Sequence, residues 1–469
     1  MKKKNASSTP SVNNQALFNI LGTAVLSGLN FLTIPIFTRI LGTAQFGKYS
    51  VYHSWVLILG CVMGLQVSSC MGVGLYKYRD NYHKFRSSIL LLGTLLSLVV
   101  VALGIAFAQP IGAFLGYSPA TVTALFLTAF CEYIVGFVTG TMTYEKKARL
   151  NCLLSVTLAL ATVGLSLVLT GVVDAESLFL SRVYGALIPY AVAAVVLWLV
   201  YFLPHPSGIR RDYAKFGLML GAPLILHKLS QSVLNQSDRV MMQHIGVTDV
   251  DVGIYSFFYS YTNIVMVILT ALNTSWCPFY YDDLSENRTE EIRRKSRNYI
   301  DMFTTIACGF LLLSREVTYL FADSEYWSGM PIIPILVFAT YCTFLYQFAV
   351  NFEFFNQRTT IAASATVGAS VLNVILNLLM IPPWGIYGAA IATAISYMGL
   401  VVVHFIAANR IRTMKFHARI RDFIPGILCV AVVSGLFYLL ADFWLLRWAL
   451  GAALGMRLLV QVIRRKSIF

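Results

Sequence analysis

Fourteen apolar stretches of roughly twenty residues each run almost without interruption through this chain. That length lets an α-helix cross about 30 Å of hydrocarbon, and in a bilayer only helices and closed barrels satisfy their own backbone groups. The stretches fall near residues 16–38, 50–75, 87–109, 118–141, 152–173, 177–203, 216–237, 253–276, 299–320, 330–352, 360–381, 386–408, 423–441 and 443–462. They predict an all-α, polytopic membrane protein of about 14 transmembrane helices. Composition agrees, since 58% of residues are hydrophobic and 12% charged, whereas soluble chains are about a quarter charged. No Pro/Gly/Ser-rich linker divides the chain, so it reads as one membrane body.

A formal charge of +14 raises the question of a nucleic-acid partner. The basic residues lie in short clusters between apolar stretches, with no basic domain, so no nucleic acid is expected. Membrane orientation accounts for them. With the N-terminus inside, alternate connections hold 27 of the 35 Lys and Arg residues, and the opposite connections keep Arg39, Lys48, Arg239 and Arg315. The positive-inside rule then places both termini in the cytoplasm. Residues 1–15 read as a cytoplasmic tail, because the apolar segment behind Lys2, Lys3 and Lys4 is too long for a signal-peptide core and has no small-residue cleavage site. The eight cysteines (Cys61, Cys70, Cys131, Cys152, Cys277, Cys308, Cys342 and Cys429) lie in or beside apolar stretches without a CxxC pair. They read as packing residues, and no metal site is expected.

An internal repeat organises the stretches. Leu21-Gly22, Thr38-Arg39 and Gly47-Lys48-Tyr49-Ser50 match Leu220-Gly221, Asp238-Arg239 and Gly253-Ile254-Tyr255-Ser256. Arg149 after the fourth stretch matches Arg358 after the tenth. The expected organisation is a six-helix lobe at 16–203, a cytoplasmic linker at 204–215, a second six-helix lobe at 216–408, and two added helices with a tail at 409–469. Six crossings return the chain to its starting side, so the lobes are parallel repeats around a central cavity.

Ionisable residues at membrane depth are costly and face a bundle interior or water. At 100° per residue, His227, Lys228, Gln231, Asn235, Asp238 and Arg239 fall within about 120° of one another on the seventh helix. Asn19, Thr23, Ser27 and Asn30 form a milder stripe on the first, and Thr366, Ser370, Asn373 and Asn377 another on the eleventh. Those two stripes read equally as cavity lining and as interhelical hydrogen-bond glue. A lysine near mid-depth favours the cavity for the seventh helix. Glu132 and Arg182 are isolated charges of opposite sign. Glu132 reads equally as a proton or cation site and as the buried partner of an arginine. Arg447 and Arg457 have side chains long enough to snorkel to the interfaces, and His404 reads as packed. Pro35, Pro189 and Pro223 favour bends in their helices.

No P-loop, HExxH or GxSxG is present and no outer connection exceeds about twenty residues, so an enzyme is not expected. The segments PIFTRILGTAQFGKYS (Pro35–Ser50), Ser237-Asp238-Arg239 with Val252–Ser256, ALNTSWCPFY (Ala271–Tyr280) and NVILNLLMIPPWGIYGAAIATAISY (Asn373–Tyr397) resemble the polysaccharide biosynthesis or O-antigen flippase family (Wzx-type). That family sits in the multidrug/oligosaccharidyl-lipid/polysaccharide exporter superfamily, and the resemblance covers essentially the whole chain. The second repeat departs by an insertion between Arg239 and Gly253, so Arg39 and Arg239 correspond only approximately.

The resemblance implies a flippase of the bacterial cytoplasmic membrane, moving an undecaprenyl-diphosphate-linked repeat unit by alternating access for O-antigen, capsule or exopolysaccharide. It implies a cationic cavity, which here falls to Lys228, Arg239, Arg39 and Arg182, with His227, Gln231, Asn235 and Asp238 beside them. No cofactor is expected. Coupling to H+ or Na+ would fall to Glu132 or Asp238. Membrane lipids, the lipid-linked oligosaccharide, a polymerase and chain-length machinery are the expected partners. Physical chemistry agrees, because a diphosphate and sugar headgroup needs cations and hydroxyl partners to cross hydrocarbon. The alternatives are a lipid II flippase, a cation-coupled drug exporter, which should favour an acidic cavity, and a membrane polysaccharide polymerase, which should carry a long outer loop.

Overall fold

The computed structural model describes the backbone of residues 12–465 and the side chains of 31–419 and 421–464. Residues 1–11 of the expected tail, with Lys2, Lys3 and Lys4, and Lys466 lie outside the described residues. So do the side chains of Asn19, Thr23, Ser27, Asn30 and Arg465.

Among the described residues the chain is helical and has no strand. The helices are α1 (Val12–Gly60), α2 (Met71–Lys77), α3 (Tyr82–Ala106), α4 (Ala108–Leu115), α5 (Pro119–Tyr144), α6 (Ala148–Leu169) and α7 (Phe179–Phe202). They continue as α8 (Arg211–His244), α9 (Asp249–Ser285), α10 (Thr289–Phe321), α11 (Ile333–Phe355), α12 (Thr359–Arg410), α13 (Ile420–Leu439) and α14 (Trp444–Arg465). Each of the fourteen apolar stretches lands on helix.

Nine described helices are long and apolar enough to cross a membrane, or ten if the pair Phe31–Gly60 and Met63–Lys77, bent by 56°, is one span. Helix length explains part of the difference from fourteen. The 52 residues of α12 would extend about 78 Å, more than twice the hydrocarbon thickness. The helix breaks behind Pro382 and Pro383 at Gly385, whose φ of 52° and ψ of −127° suit a residue without Cβ. It therefore holds two stretches. Polarity explains α8 and α10: α8 carries the seventh-helix stripe, and α10 begins with Glu290, Glu291, Arg293, Arg294, Lys295 and Arg297.

Packing divides the chain into two compact units, Met1–Thr33 with Tyr52–Leu229, and Ile34–Val51 with Ser230–Phe469. In unit 1, Val67, Phe85, Ile89, Leu90, Val122 and Val138 have no exposed surface. At its basic end the buried Arg86 donates to Glu145 at 2.8 Å and to the Tyr201 carbonyl at 3.1 Å. Its guanidinium lies 4.4 Å from the Tyr201 ring. Breaking such an enclosed pair on one side costs about 3–5 kcal/mol.

Unit 2 has an aromatic core, with Trp276 stacked on Tyr280 at 4.5 Å and Phe303 tilted against Phe344 at 4.4 Å. Its α14 arginines find carboxylate partners on α10. Arg447 is 1% exposed and binds Glu316 of α10 together with the carbonyls of Leu440 and Ala441. Arg457 donates to Asp301 of α10 at 2.6 Å. A carboxylate on α10 thus offsets the charge of each arginine.

The repeated motif meets its own copy within unit 2. A Cβ on Gly47 would stand 2.1 Å from the Asp249 carbonyl oxygen, and one on Gly253 would stand 1.9 Å from that of Thr43. The late turns of α1 and the first turns of α9 thus cross at backbone contact, which a side chain on either glycine would prevent. Lys48 and Asp249 flank the crossing at 3.9 Å. Thr248 caps α9 by accepting the Asp251 N–H at 3.2 Å, and Asp249 and Asp251 in its first turn suit the helix dipole.

Candidate functional site

The polar arc of α8 is shared between the two units. In unit 1, Lys228 is exposed and its ammonium is in no ion pair among the described residues, while His227 is half-buried. The thiol of Cys61 donates to the Lys228 carbonyl at 3.5 Å. Pro223 lies a turn and a half earlier in the same helix. Arg182 is half-buried on α7 and Glu132 half-buried on α5. No ion pair among the described residues involves Glu132.

In unit 2 the arc turns inward. Gln231 is exposed and Asn235 half-buried, whereas Asp238 is 1% and Arg239 6% exposed. Asp238 accepts the backbone N–H of Arg239 at 3.0 Å and the hydroxyl of Tyr255. Arg239 donates to Gln236 Oε1 at 2.6 Å, and its guanidinium lies 4.3 Å from the ring of Tyr259. Asn235 Oδ1 accepts from Tyr397 at 2.7 Å. Ser237 donates to Asn373 Oδ1 at 2.9 Å, and Asn377 Nδ2 donates to the same oxygen at 3.1 Å.

This cluster joins α8, α9 and both halves of α12. Two of its buried atoms, Asn373 Nδ2 and Asn377 Oδ1, have no partner among the described residues. The Asp238 carboxylate is a hard oxygen ligand, the type that suits a hard cation and not a soft metal. Among the described residues, no group of three His, Cys, Asp or Glu side chains converges on a metal position.

Arg39 stands apart, at a rim of unit 2. It is half-exposed, 3.7 Å from Asp323, and donates to the Leu320 carbonyl at 2.8 Å. The structure thus gathers Asn235, Asp238 and Arg239, and does not gather Arg39 with them. Tyr255, Tyr259 and Tyr397 join the cluster, although no polar stripe in the sequence marks them as site residues. Tyr255 had a usable signal, being the tyrosine of the repeated GxYS motif. His404, expected as packed, is buried and donates from Nδ1 to both oxygens of the buried Glu353 at 3.0 Å.

A family profile described as polysaccharide biosynthesis protein matches residues 13–281, and one described as lipid II flippase MurJ matches residues 339–458. The probable low-salt glycan biosynthesis flippase Agl15 of Haloferax volcanii is 25% identical over 407 residues, covering 85% of this chain and 83% of that protein. The succinoglycan biosynthesis transport protein ExoT of Rhizobium meliloti is 23% identical over 351 residues, covering 70% and 67%. Among solved structures, lipid II flippase MurJ in an inward closed conformation superposes with a TM-score of 0.73 at 15% identity, covering 96% of this chain and 99% of that one. A multidrug resistance MATE family transporter in an inward-facing conformation gives 0.63 at 15% identity, covering 90% and 99%. At that identity the likeness is one of fold.

Proposed function

The chain belongs to the polysaccharide biosynthesis protein family, and we propose from that premise that it translocates an undecaprenyl-diphosphate-linked oligosaccharide across the bacterial cytoplasmic membrane by alternating access. It is a flippase of that family, as its kinship with a glycan biosynthesis flippase and a succinoglycan transport protein indicates. The observation that carries the substrate reading is Lys228, an exposed cation without an ion-pair partner among the described residues, on a helix that matches a membrane stretch. A cation at that depth is costly unless water or an anion meets it, and a diphosphate is the anion such a substrate brings. His227 stands beside Lys228 as a hydrogen-bond partner for sugar hydroxyls. The product would pass to a polymerase and its chain-length machinery.

The coupling-ion reading rests on Asp238. Its carboxylate is enclosed, and Asn377, joined to Asn373 and through it to Ser237, keeps a buried oxygen without a partner among the described residues. Na+ is the coupling ion on this reading, because a carboxylate and an amide oxygen are hard ligands. Asp238→Asn should abolish the response of transport to a Na+ gradient while leaving substrate binding intact. A retained Na+ response in that variant would move the coupling site elsewhere, with Glu132 next in line.

The direct test uses purified protein in proteoliposomes holding a fluorescent undecaprenyl-diphosphate oligosaccharide, with an impermeant quencher outside. Protein should expose the inner-leaflet pool to quenching. No exposure above protein-free vesicles would overturn the proposal. The lipid II profile over residues 339–458 supports a second reading, and selective flipping of lipid II in the same assay would establish it instead.

A further inference from the structure

Unit 2 carries a cavity of about 630 Å³ at the basic end of α12, which the transport reading does not use. Its walls come from both ends of that helix: Arg358 and Ile361 beside its start, Val403, Ile406 and Arg410 at its finish, and Arg412 just beyond. All three arginines are exposed, and no ion pair among the described residues involves any of them. We propose that this cavity is a binding site for an anionic phospholipid, with the phosphate on Arg358, Arg410 and Arg412 and the acyl chains along Val403 and Ile406.

The face of α12 has the layout of such a lipid. Val402, Val403 and Ile406 are 50%, 46% and 49% exposed, while His404 and Phe405 between them and Ala408 just beyond are buried. Exposed aliphatic side chains on a spanning helix meet hydrocarbon. The same face continues to Arg410, seven residues and about 10 Å beyond Val403, so one stripe passes from aliphatic to cationic over the distance from upper acyl chain to phosphate. The positive-inside rule assigns this end to the cytoplasmic leaflet, where anionic lipids concentrate.

The arginines are also held in place. Thr413 donates to Asn356 Oδ1 at 2.8 Å, tying the segment after α12 to the end of α11. The buried Phe416 packs against Phe352 at 5.1 Å and Phe405 at 5.6 Å. Arg412 therefore sits on an anchored segment. Lys415, Arg419 and Arg421 extend the exposed positive surface. His417 adds no charge near neutral pH, because burial and the neighbouring Arg293 and Lys415 push its pKa below the usual range. Guanidinium forks bind phosphate oxygens in pairs, which suits a fixed headgroup better than diffuse attraction does.

Native mass spectrometry of the full-length protein, titrated with phosphatidylglycerol or phosphatidylcholine, tests this. Wild type should retain one phosphatidylglycerol where phosphatidylcholine is lost. At about fivefold per arginine, the Arg358→Gln/Arg410→Gln/Arg412→Gln variant should lose affinity on the order of a hundredfold. Ile406→Glu, an exposed position that changes one charge on a chain of +14, should also lose it. Arg79→Gln/Lys84→Gln/Lys146→Gln, on exposed residues of unit 1, should stay within twofold. About 10 mM inorganic phosphate should displace little, since it has no chain for the aliphatic stripe. Retention by the triple-arginine variant, or equal loss in the unit 1 variant, would overturn the site. Preference for undecaprenyl diphosphate over phosphatidylglycerol would reassign it to the transported lipid's carrier and overturn the phospholipid assignment.

Discussion

Replacing Lys228 by alanine separates transport from stability more cleanly than any other change in the candidate site. The side chain is exposed and in no ion pair among the described residues, so its loss orphans no buried acceptor. Surface changes of that kind stay within about 0.5 kcal/mol. A charge-assisted contact to phosphate contributes about 1.5–3 kcal/mol, so its removal should slow flipping roughly 10- to 150-fold. Lys228→Arg should recover part of the rate, because charge is kept while a compact ammonium becomes a planar fork. The assay is the quenching time course in proteoliposomes, normalised to reconstituted protein, with thermal midpoints measured in detergent. Arg239→Ala provides the contrast, because Arg239 is buried, donates to Gln236 and covers Tyr259. It should lower the midpoint as well as the rate. Wild-type flipping by Lys228→Ala at unchanged stability would remove the residue from the substrate path, and a collapse in stability would make it a structural residue.

Other substitutions test the frame around the site. Gly253→Val forces a Cβ to within 1.9 Å of the Thr43 carbonyl oxygen, so the crossing must open at a cost of about 1–3 kcal/mol or more. A lower thermal midpoint is expected, with Gly253→Ala milder, and an unchanged midpoint would refute the close crossing. Glu316→Gln leaves the buried Arg447 without its counter-charge and should cost about 3–5 kcal/mol. The double variant Glu316→Gln/Arg447→Met should recover most of that, and no recovery would show that the pair is not the cause. A cysteine at Ser207 should resist an impermeant thiol reagent in intact cells, since the basic connections are expected inside, and labelling there would invert the topology.

The fold was largely legible because hydrocarbon imposes one length and one hydrogen-bonding solution on every crossing. Apolar run length alone places α3, α5, α6, α7 and α9, and the Pro382-Pro383 and Gly385 punctuation marks the break in α12. The repeat was legible as matching letters, yet the contact of Gly47 with the start of α9 was not. Similarity between two segments says nothing about whether they touch. Ion-pair partners were hidden for the same reason: Arg447 finds Glu316 131 residues away, and His404 finds Glu353 51 residues away. No spacing rule of a single helix reaches that far.

The site was half legible, and α8 itself shows why. An angular arc identifies which residues share a face, but burial is decided by what stands opposite at each height. Lys228 and Asp238 differ by only about 80° around the axis yet are ten residues, or about 15 Å, apart along it. At the height of Asp238 that face meets Tyr255 of α9 and, through Ser237, Asn373 of α12, so the carboxylate is enclosed. At the height of Lys228 the side chain stays exposed. On the proposed reading, one sequence stripe serves two roles, with Lys228 meeting the anionic substrate and Asp238 the coupling cation. The roles should separate in experiment: residual flipping by Lys228→Ala should keep its Na+ response, and Asp238→Asn should keep the substrate affinity of wild type. Loss of both properties in either variant would mean that the two positions act as a single site.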